Sequence, residues 1–489
     1  MTIDVLEHYL RDESRHGEAA PGTFTGAAGG APCGDLVRVS LGVEHGRVRD
    51  LSFDAEGCAA ARAAGAAVAD LADGVGVLDA AAIGTDALDE ALGGLSPQGR
   101  HAAELAADAL HRALAQAAGS GKALAAVPDC GERVLVAMSG GVDSAVAAVL
   151  ERERGAEVVA VTLKLWADRH TDASKSCCSP LAVLGARGVA HSLGIPHVTL
   201  DLEEQFRREV VGEFIAGYRA GETPNPCVIC NGEVRMAAMV ALADRLGASA
   251  LATGHYARVI DDGEGPLLAP AADPAKDQTY MLSALPTGLL GRLRFPLAEL
   301  TKPEVREIAS RHGLAVERKP ESQDLCFLAG QGKRTFLRRH GRLEDREGDL
   351  VDTSGRRLGR HRGHHHFTVG QRRGIGVGAP EPLYVLGTDA EANTVTVGTR
   401  SELATMSVPV RQATLHRDGA RVDRVKLRYH GNAIPCRVAE NGSAGAGRHE
   451  RLTLELAEPV NGVAPGQTAS LMDGETIVGH ATIAAADAA

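Results

Sequence analysis

The hexapeptide Ser139-Gly140-Gly141-Val142-Asp143-Ser144 stands between an apolar run, RVLVAM, and a helical pattern, AVAAVLERE. Glycines let the chain turn sharply from strand to helix, and the first N–H groups of that helix, with the positive end of its dipole, then face any phosphate placed there. The segment has neither the Gly-Lys-Ser/Thr of a Walker loop nor Gly-x-Gly-x-x-Gly, so it reads as an anion cradle of a different kind. The plainer alternative is a glycine-rich turn capped by Asp or Ser.

The second reactive set is thiol. Cysteines occupy positions 33, 58, 130, 177, 178, 227, 230, 326 and 436, an odd count in a chain whose start, Met-Thr-Ile-Asp-Val-Leu-Glu, has no basic and apolar export pattern. Reactive or metal-binding thiols are therefore expected, not a disulfide framework, and the expected location is cytoplasmic. Cys227 and Cys230 form a Cys-x-x-Cys. With Cys326 they supply three soft ligands, which suits an iron-sulfur cluster with an open iron; the alternative is a redox pair that passes sulfur only as persulfide. A zinc site there lacks a fourth ligand. Cys130 and Cys436 read as small buried hydrophobes, and Cys177-Cys178 as neighbours of a helix start at Ser179-Pro180. His364-His365-His366 reads as an exposed loop, because three consecutive side chains point in different directions.

These groups need a scaffold. At 489 residues with mean hydropathy -0.08, the chain is a multidomain protein with no apolar run that predicts a membrane span. The net charge of -11 is uneven: residues 1–129 hold 9 Lys+Arg against 19 Asp+Glu, whereas residues 329–376 hold 12 against 5, with five histidines. Such a local basic surface suits a polyanion, although a solvated charged face is the alternative. Residues 1–122 predict an α+β module, its strands around DLVRVSLGVEHGRVRDLSFDAEGC, joined by an Ala/Gly-rich linker, residues 118–130. Residues 130–328 alternate apolar strands with helices and predict a Rossmann-like α/β domain around a parallel sheet. Beyond Gly348 the helices stop, giving a small basic β domain (329–385) and a C-terminal β-barrel (386–489). ENGSAGAGRHE, residues 440–450, reads as a flexible loop.

The hexapeptide resembles the pyrophosphate (PP) loop of the ATP pyrophosphatases. TPNPCVICN, LATGHYAR, KDQTYML, ESQDLCF and FTVGQRRGIG follow it in order, and together these segments resemble the tRNA-specific 2-thiouridylases of the MnmA type from about Glu132 onward. The resemblance implies ATP-dependent replacement of the C2 oxygen of a wobble uridine by sulfur, with AMP and pyrophosphate as products. It implies ATP, with Mg2+, at Ala137, Met138, Ser139, Gly140, Gly141, Val142, Asp143, Ser144, Leu163 and Gly254, and tRNA at Asn225, Pro226, Cys227, Lys276, Asp277, Gln278, Arg428 and Tyr429. Cys230 would be the nucleophile and Cys326 the persulfide carrier, supplied by a cysteine desulfurase or sulfur-relay protein. Many members of the family have Asp where this chain has Cys227. Rival expectations are another adenylating synthetase, such as an amidating one, and an iron-sulfur carrier that binds tRNA without modifying it.

Residues 1 to about 117 are not part of a standard thiouridylase. PCGD and FDAEGCAAARAAGAAVADL resemble the U-type iron-sulfur scaffolds, whose ligands would fall on Cys33, Asp35 and Cys58. The third thiol of that family is missing: His101 is followed by Ala102. Cys33, Asp35, Cys58 and His101 remain a candidate zinc, iron or labile-cluster set, and a degenerate docking module is the alternative.

Overall fold

The computed structural model describes residues 3–30, 34–168, 179–317, 325–439 and 444–485, so Cys33, Cys177, Cys178 and Glu321–Asp324 lie outside the described residues. The front module opens with α1 (Ile3–Arg11), continues through strands β1 (Phe24–Gly29), β2 (Leu36–Glu44) and β3 (Arg47–Glu56), and ends in helices α2 (Ala59–Ala72), α3 (Val77–Ala81), α4 (Thr85–Ala91) and α5 (Pro97–Gly119). The strands form an antiparallel sheet in sequence order. Its alanine and glycine content has a packing reason. A Cβ on Gly26 would lie 2.1 Å from the Ala109 carbonyl oxygen of α5, and one on Gly65 would lie 2.6 Å from the Phe53 ring. Small residues let helix and sheet approach this closely. α5 starts where Ser96 Oγ accepts the Gly99 N–H and Pro97 takes the first turn.

The linker expected at residues 118–130 is docked along Leu124–Ala126. Leu124 is buried, the Leu124 and Ala125 N–H groups donate to the Arg245 carbonyl, the Arg245 guanidinium binds the Ala118 carbonyl, and Arg133 binds the Ala126 carbonyl at 2.6 Å. Composition alone could not reveal partners more than a hundred residues away.

The catalytic-type domain holds five parallel strands, β4 (Arg133–Ala137), β5 (Glu157–Lys164), β6 (His197–Asp201), β7 (Ala250–Thr253) and β10 (Leu293–Arg294), in the order β10-β7-β4-β5-β6. Helices α6 (Val142–Glu153) and α7 (Pro180–Ser192) connect the first three. β4 has β5 on one side and β7 on the other, so the chain leaves in opposite directions from it, and the crevice at its carboxyl end is where ligands of such sheets bind. The hairpin β8 (Arg258–Asp261) and β9 (Pro266–Ala269) leaves this sheet and pairs instead with the C-terminal barrel.

α8 (Pro226–Arg245) is α-helical except for a π-helical segment, Cys230–Arg235. It is long and apolar enough by composition to cross a membrane, but 61% of its apolar window is buried inside the molecule, as befits a core helix. α9 (Lys302–Arg311) and α10 (Lys333–Gly341) follow. A four-stranded sheet, β12-β11-β14-β13, comprises β11 (Gly348–Val351), β12 (Arg357–His361), β13 (Tyr384–Asp389) and β14 (Thr394–Gly398). β13 therefore runs across the division expected at 385/386, and its partner β14 lies beyond it. Six strands, β15 (Ala404–Leu415), β16 (Arg424–Lys426), β17 (Ile434–Val438), β18 (Gly447–Asn461), β19 (Thr468–Asp473) and β20 (Thr476–Ile483), close into a barrel through β15–β20 pairing. β18 begins at Gly447, inside the stretch expected to be a loop, because Leu415 and Thr414 pair with Gly447 and Arg448.

α5 of the front module lies against β6. Arg187 on α7 reaches Asp108 on α5 at 2.9 Å, with both side chains largely buried. Beside them His111 lies 5.2 Å from His191 and 6.4 Å from His197, ring to ring. His111 and His191 bind the Ile83 and Ala81 carbonyls, and His197 meets the Thr162 hydroxyl at 2.8 Å.

Candidate functional site

The hexapeptide forms the expected turn. Gly140 has φ +69°, a value that L side chains rarely adopt, and Gly141 caps α6. Ser144 braces it from inside: its Oγ accepts the Ser139 N–H at 3.1 Å and donates to the Gly141 carbonyl at 3.0 Å. Parallel register sets Ala137 beside Val161 and Thr253, which brings the ends of β4, β5 and β7 together with Leu163 and Gly254 close by. Gly254 touches the loop directly. A Cβ there would come within 2.7 Å of the Ser144 nitrogen and 2.8 Å of the Asp143 carbonyl carbon.

Asp143, in the first turn of α6, is the most engaged side chain of the loop. Lys302 Nζ lies 2.7 and 2.8 Å from its two carboxylate oxygens, and the Tyr256 hydroxyl donates to Oδ1 at 3.0 Å. The capping box of Thr301 with Glu304 starts α9 and so fixes Lys302, whose N–H donates to Asp273 at 3.0 Å. Both carboxylate oxygens already meet a cation, so Asp143 does not stand ready as a magnesium ligand. Lys302, Tyr256 and Asp273 were missed in the sequence. Thr-Lys-Pro-Glu showed a helix start but not its target, and Tyr256 lay within a quoted segment without a signal of its own.

The thiols sit at the other end of a short strap. Gln278 exchanges bonds with Tyr256, accepting its N–H at 3.0 Å through Oε1 and donating its own N–H to the Tyr256 carbonyl at 2.9 Å. Three residues on, the Met281 carbonyl accepts from Asn231, the neighbour of Cys230. Asn225 Oδ1 caps α8 by accepting the Cys227 and Val228 N–H groups, with Pro226 in the first turn. Cys230, where the π segment begins, is buried; Cys227 and Cys326 are half-buried. Phe327 anchors Cys326 by packing with Phe214 and Phe336, at 5.1 and 5.0 Å between rings.

The chain entering α8 is clamped by both β domains. The Thr388 hydroxyl donates to the Gly221 carbonyl at 2.7 Å and Thr223 to the Thr368 hydroxyl at 3.2 Å. From the barrel, Gln467 donates to the Thr223 carbonyl at 2.6 Å and Arg411 pairs with Glu222 at 2.7 Å.

Among the described residues the group whose ligand atoms all lie within 4.8 Å of one another, the spacing that suits a single ion, is Asp345, His365 and His366. His365 is buried, which corrects the exposed-loop reading of 364–366: Gly363, at φ +150°, turns the ring inward, and burial lowers its pKa to about 4. Cys130 is exposed, not buried as expected, since the docked linker ends before it. Cys436 is half-buried against the barrel core, where burial pushes its thiol up to about 12.

Sequence comparison accounts for each part of this architecture. A NifU-like N-terminal domain matches residues 2–123, a tRNA methyl transferase HUP domain residues 132–330, its PRC-barrel domain residues 334–399, and an aminomethyltransferase β-barrel domain residues 410–483. The bifunctional protein NifU/MnmA of Rubrobacter xylanophilus is 48% identical over 99% of this chain and 98% of its own length. The chain belongs to the bifunctional NifU/MnmA family. The tRNA-specific 2-thiouridylases MnmA of Acidithiobacillus ferrooxidans and Rhodospirillum rubrum are 42% and 44% identical over 71% and 70% of this chain, covering 97% and 92% of their own lengths.

In the MnmA half, the residues expected to meet tRNA lie on both sides of the strap. Asp277 approaches Lys426 of the barrel at 3.8 Å, and the Tyr280 and Tyr429 rings lie 6.2 Å apart. Tyr280 hydrogen-bonds the Thr468 carbonyl at 2.9 Å, and burial raises its pKa to about 12, so it stays a donor. Arg428 is exposed; Lys276 is half-buried beside them. In the NifU half, Asp35 binds Cys58 twice, accepting its N–H at 2.7 Å and its thiol at 3.4 Å. His101, exposed on α5, lies 3.7 Å from Glu104, while Ala102, where the third thiol would stand, is buried.

Proposed function

We propose that this chain replaces the C2 oxygen of a tRNA uridine by sulfur, with adenylation at the PP-loop and sulfur transfer through Cys326 and Cys230. The C2 oxygen is a poor leaving group, so it first attacks the α-phosphorus of ATP; pyrophosphate leaves and uridine C2 carries an adenylate. The amino-terminal start of α6, capped by Gly141, would face the phosphates, and Lys302, paired with Asp143, would supply positive charge at the same place. Mg2+ would neutralise ATP oxygens when bound.

A persulfide on Cys326, loaded from a sulfur-relay donor, then attacks C2 through its outer sulfur. The Cys230 thiolate attacks the inner sulfur, the S–S bond breaks, its electron pair stays with the sulfur now on C2, and AMP departs. A Cys230–Cys326 disulfide remains and a thiol reductant restores it.

The observation that carries this reading is the Tyr256–Gln278–Met281–Asn231 strap, which ties the carboxylate of the phosphate loop to the neighbour of Cys230 through hydrogen bonds of 3.0 Å or less. The test is incubation of the full chain with ATP, unmodified tRNA and a persulfide donor. AMP, pyrophosphate and thiolated tRNA in equal amounts support it; AMP formation without tRNA would point to another adenylating reaction. Basic side chains of residues 333–373 would hold the tRNA backbone.

A further inference from the structure

We propose that Asp345, His365 and His366 form a binding site for a divalent first-row metal ion, zinc above all, that pins the segment after α10 to the turn ahead of Phe367. One ligand atom from each residue lies within 4.8 Å of the other two. Two imidazoles and a carboxylate are a donor set that zinc accepts in tetrahedral geometry, leaving a fourth position for water. Modest closing of the group reaches that geometry.

A second observation is independent of the spacing. His365 is only 3% exposed, yet its Nε2 has no hydrogen-bond partner. Buried polar atoms are almost always paired, and an orphaned imidazole nitrogen beside two other ligand types calls for a partner that the polypeptide does not supply. Its position is built into the backbone: a Cβ on Gly363 would lie 2.6 Å from the His365 Cε1, so only glycine leaves room for this ring. The 3-10 turn of residues 364–366 then brings the His365 and His366 rings to 4.0 Å. His364 is excluded from the set, since it binds Asn393 and the Arg219 carbonyl, each at 3.2 Å.

Without metal the set is closed on itself. His366 Nε2 lies 2.9 Å from Asp345 Oδ1, and Arg334 holds Oδ2. Arg334 is therefore the competitor of the ion; it is half-exposed and free to turn to water. The bound ion would stiffen the chain two residues before Thr368, which holds Thr223 ahead of the Cys227 helix start.

The experiment is titration of the chelator-treated full chain with cobalt(II) and zinc. Expected is one equivalent whose cobalt spectrum has d–d bands but no thiolate charge-transfer band, retained in Cys58→Ser. His365→Gln, His366→Gln and Asp345→Asn should each weaken it by about tenfold or more, and Arg334→Ala should tighten it. Circular dichroism and metal-free melting identify any variant that misfolds, and the Arg334→Ala gain does not depend on those variants. Absence of such an equivalent, its survival in both histidine variants, or unchanged affinity in Arg334→Ala would overturn the proposal.

Discussion

Lys302 and Asp143 meet across 159 residues of sequence, ammonium against both carboxylate oxygens at 2.7 and 2.8 Å, at the point where α6 leaves the phosphate loop. Under the proposed reaction this pair would set fixed charge beside the departing pyrophosphate. Lys302→Met should lower tRNA-dependent AMP formation by about a hundredfold or more, the scale of losing one preorganised charge partner, with Lys302→Arg recovering part of it. Rapid-quench assay of AMP release checks this; near wild-type rates in Lys302→Met would make the pair structural only.

Cys230→Ser and Cys326→Ser should each abolish thiolated tRNA while tRNA-dependent pyrophosphate release persists. In the proposed sequence pyrophosphate leaves at adenylation, before sulfur is needed, so the two readouts separate. Quantifying thiouridine and pyrophosphate from one reaction decides it, and thiolation at normal rates in either variant removes that residue from the mechanism.

Binding of tRNA should weaken steeply with salt despite the acidic total charge. Arg372 and Arg373 are both exposed. Reversing both to Glu should lower the slope of log affinity against log salt by about 1 to 2. Filter binding across a salt series tests this, and an unchanged slope would leave the basic segment a solvated face.

Asp108→Ala should destabilise the whole chain by about 3 to 5 kcal/mol, because it strands the Arg187 guanidinium in the domain interface. Deletion of residues 1–122 should go further and leave a poorly soluble remainder, since the surface on β6 that α5 covers would meet water. Denaturant unfolding and recovery of soluble protein measure these effects. A fully stable truncated form would mean that the front module is a mere passenger.

The same interface should be acid-sensitive. Burial lowers the pKa of His111, His191 and His197 below the ordinary histidine value, with Arg187 adding to the effect. Their unfolded forms bind protons first, so stability is full above about pH 6.5 and falls as the pH drops toward the depressed folded values, by up to about 1.4 kcal/mol per unit for each histidine. Melting curves between pH 7.5 and 5 check the sign, and His111→Gln should flatten the dependence.

What could be read in the sequence was local. The phosphate loop announced itself because glycines, strand and helix are contiguous, and the parallel sheet because β4 and β5 are largely apolar runs separated by a helix. Long-range partners left no trace: Lys302 looks like any residue in a first helical turn, and nothing near Leu124 names Arg245. The triple histidine misled because alternation of direction holds for strands and helices but not for a turn folded under glycine. Strand β15 carries Pro409, a residue that argues against a strand, and its pairing with β18 and β20, far along the chain, is what makes it one.

The π-helical segment from Cys230 to Arg235 holds one more residue than an α-helical path over the same distance needs. Taking that residue out, for instance Gly232, whose missing Cβ leaves the Ala284 carbonyl room at 2.9 Å, would close the segment into plain α-helix with both flanks nearly in place. The change would fall on the segment itself, so Cys230 and Asn231 would be re-aimed while Asn225 and Cys227 keep their places at the helix start, and every cysteine would still be present.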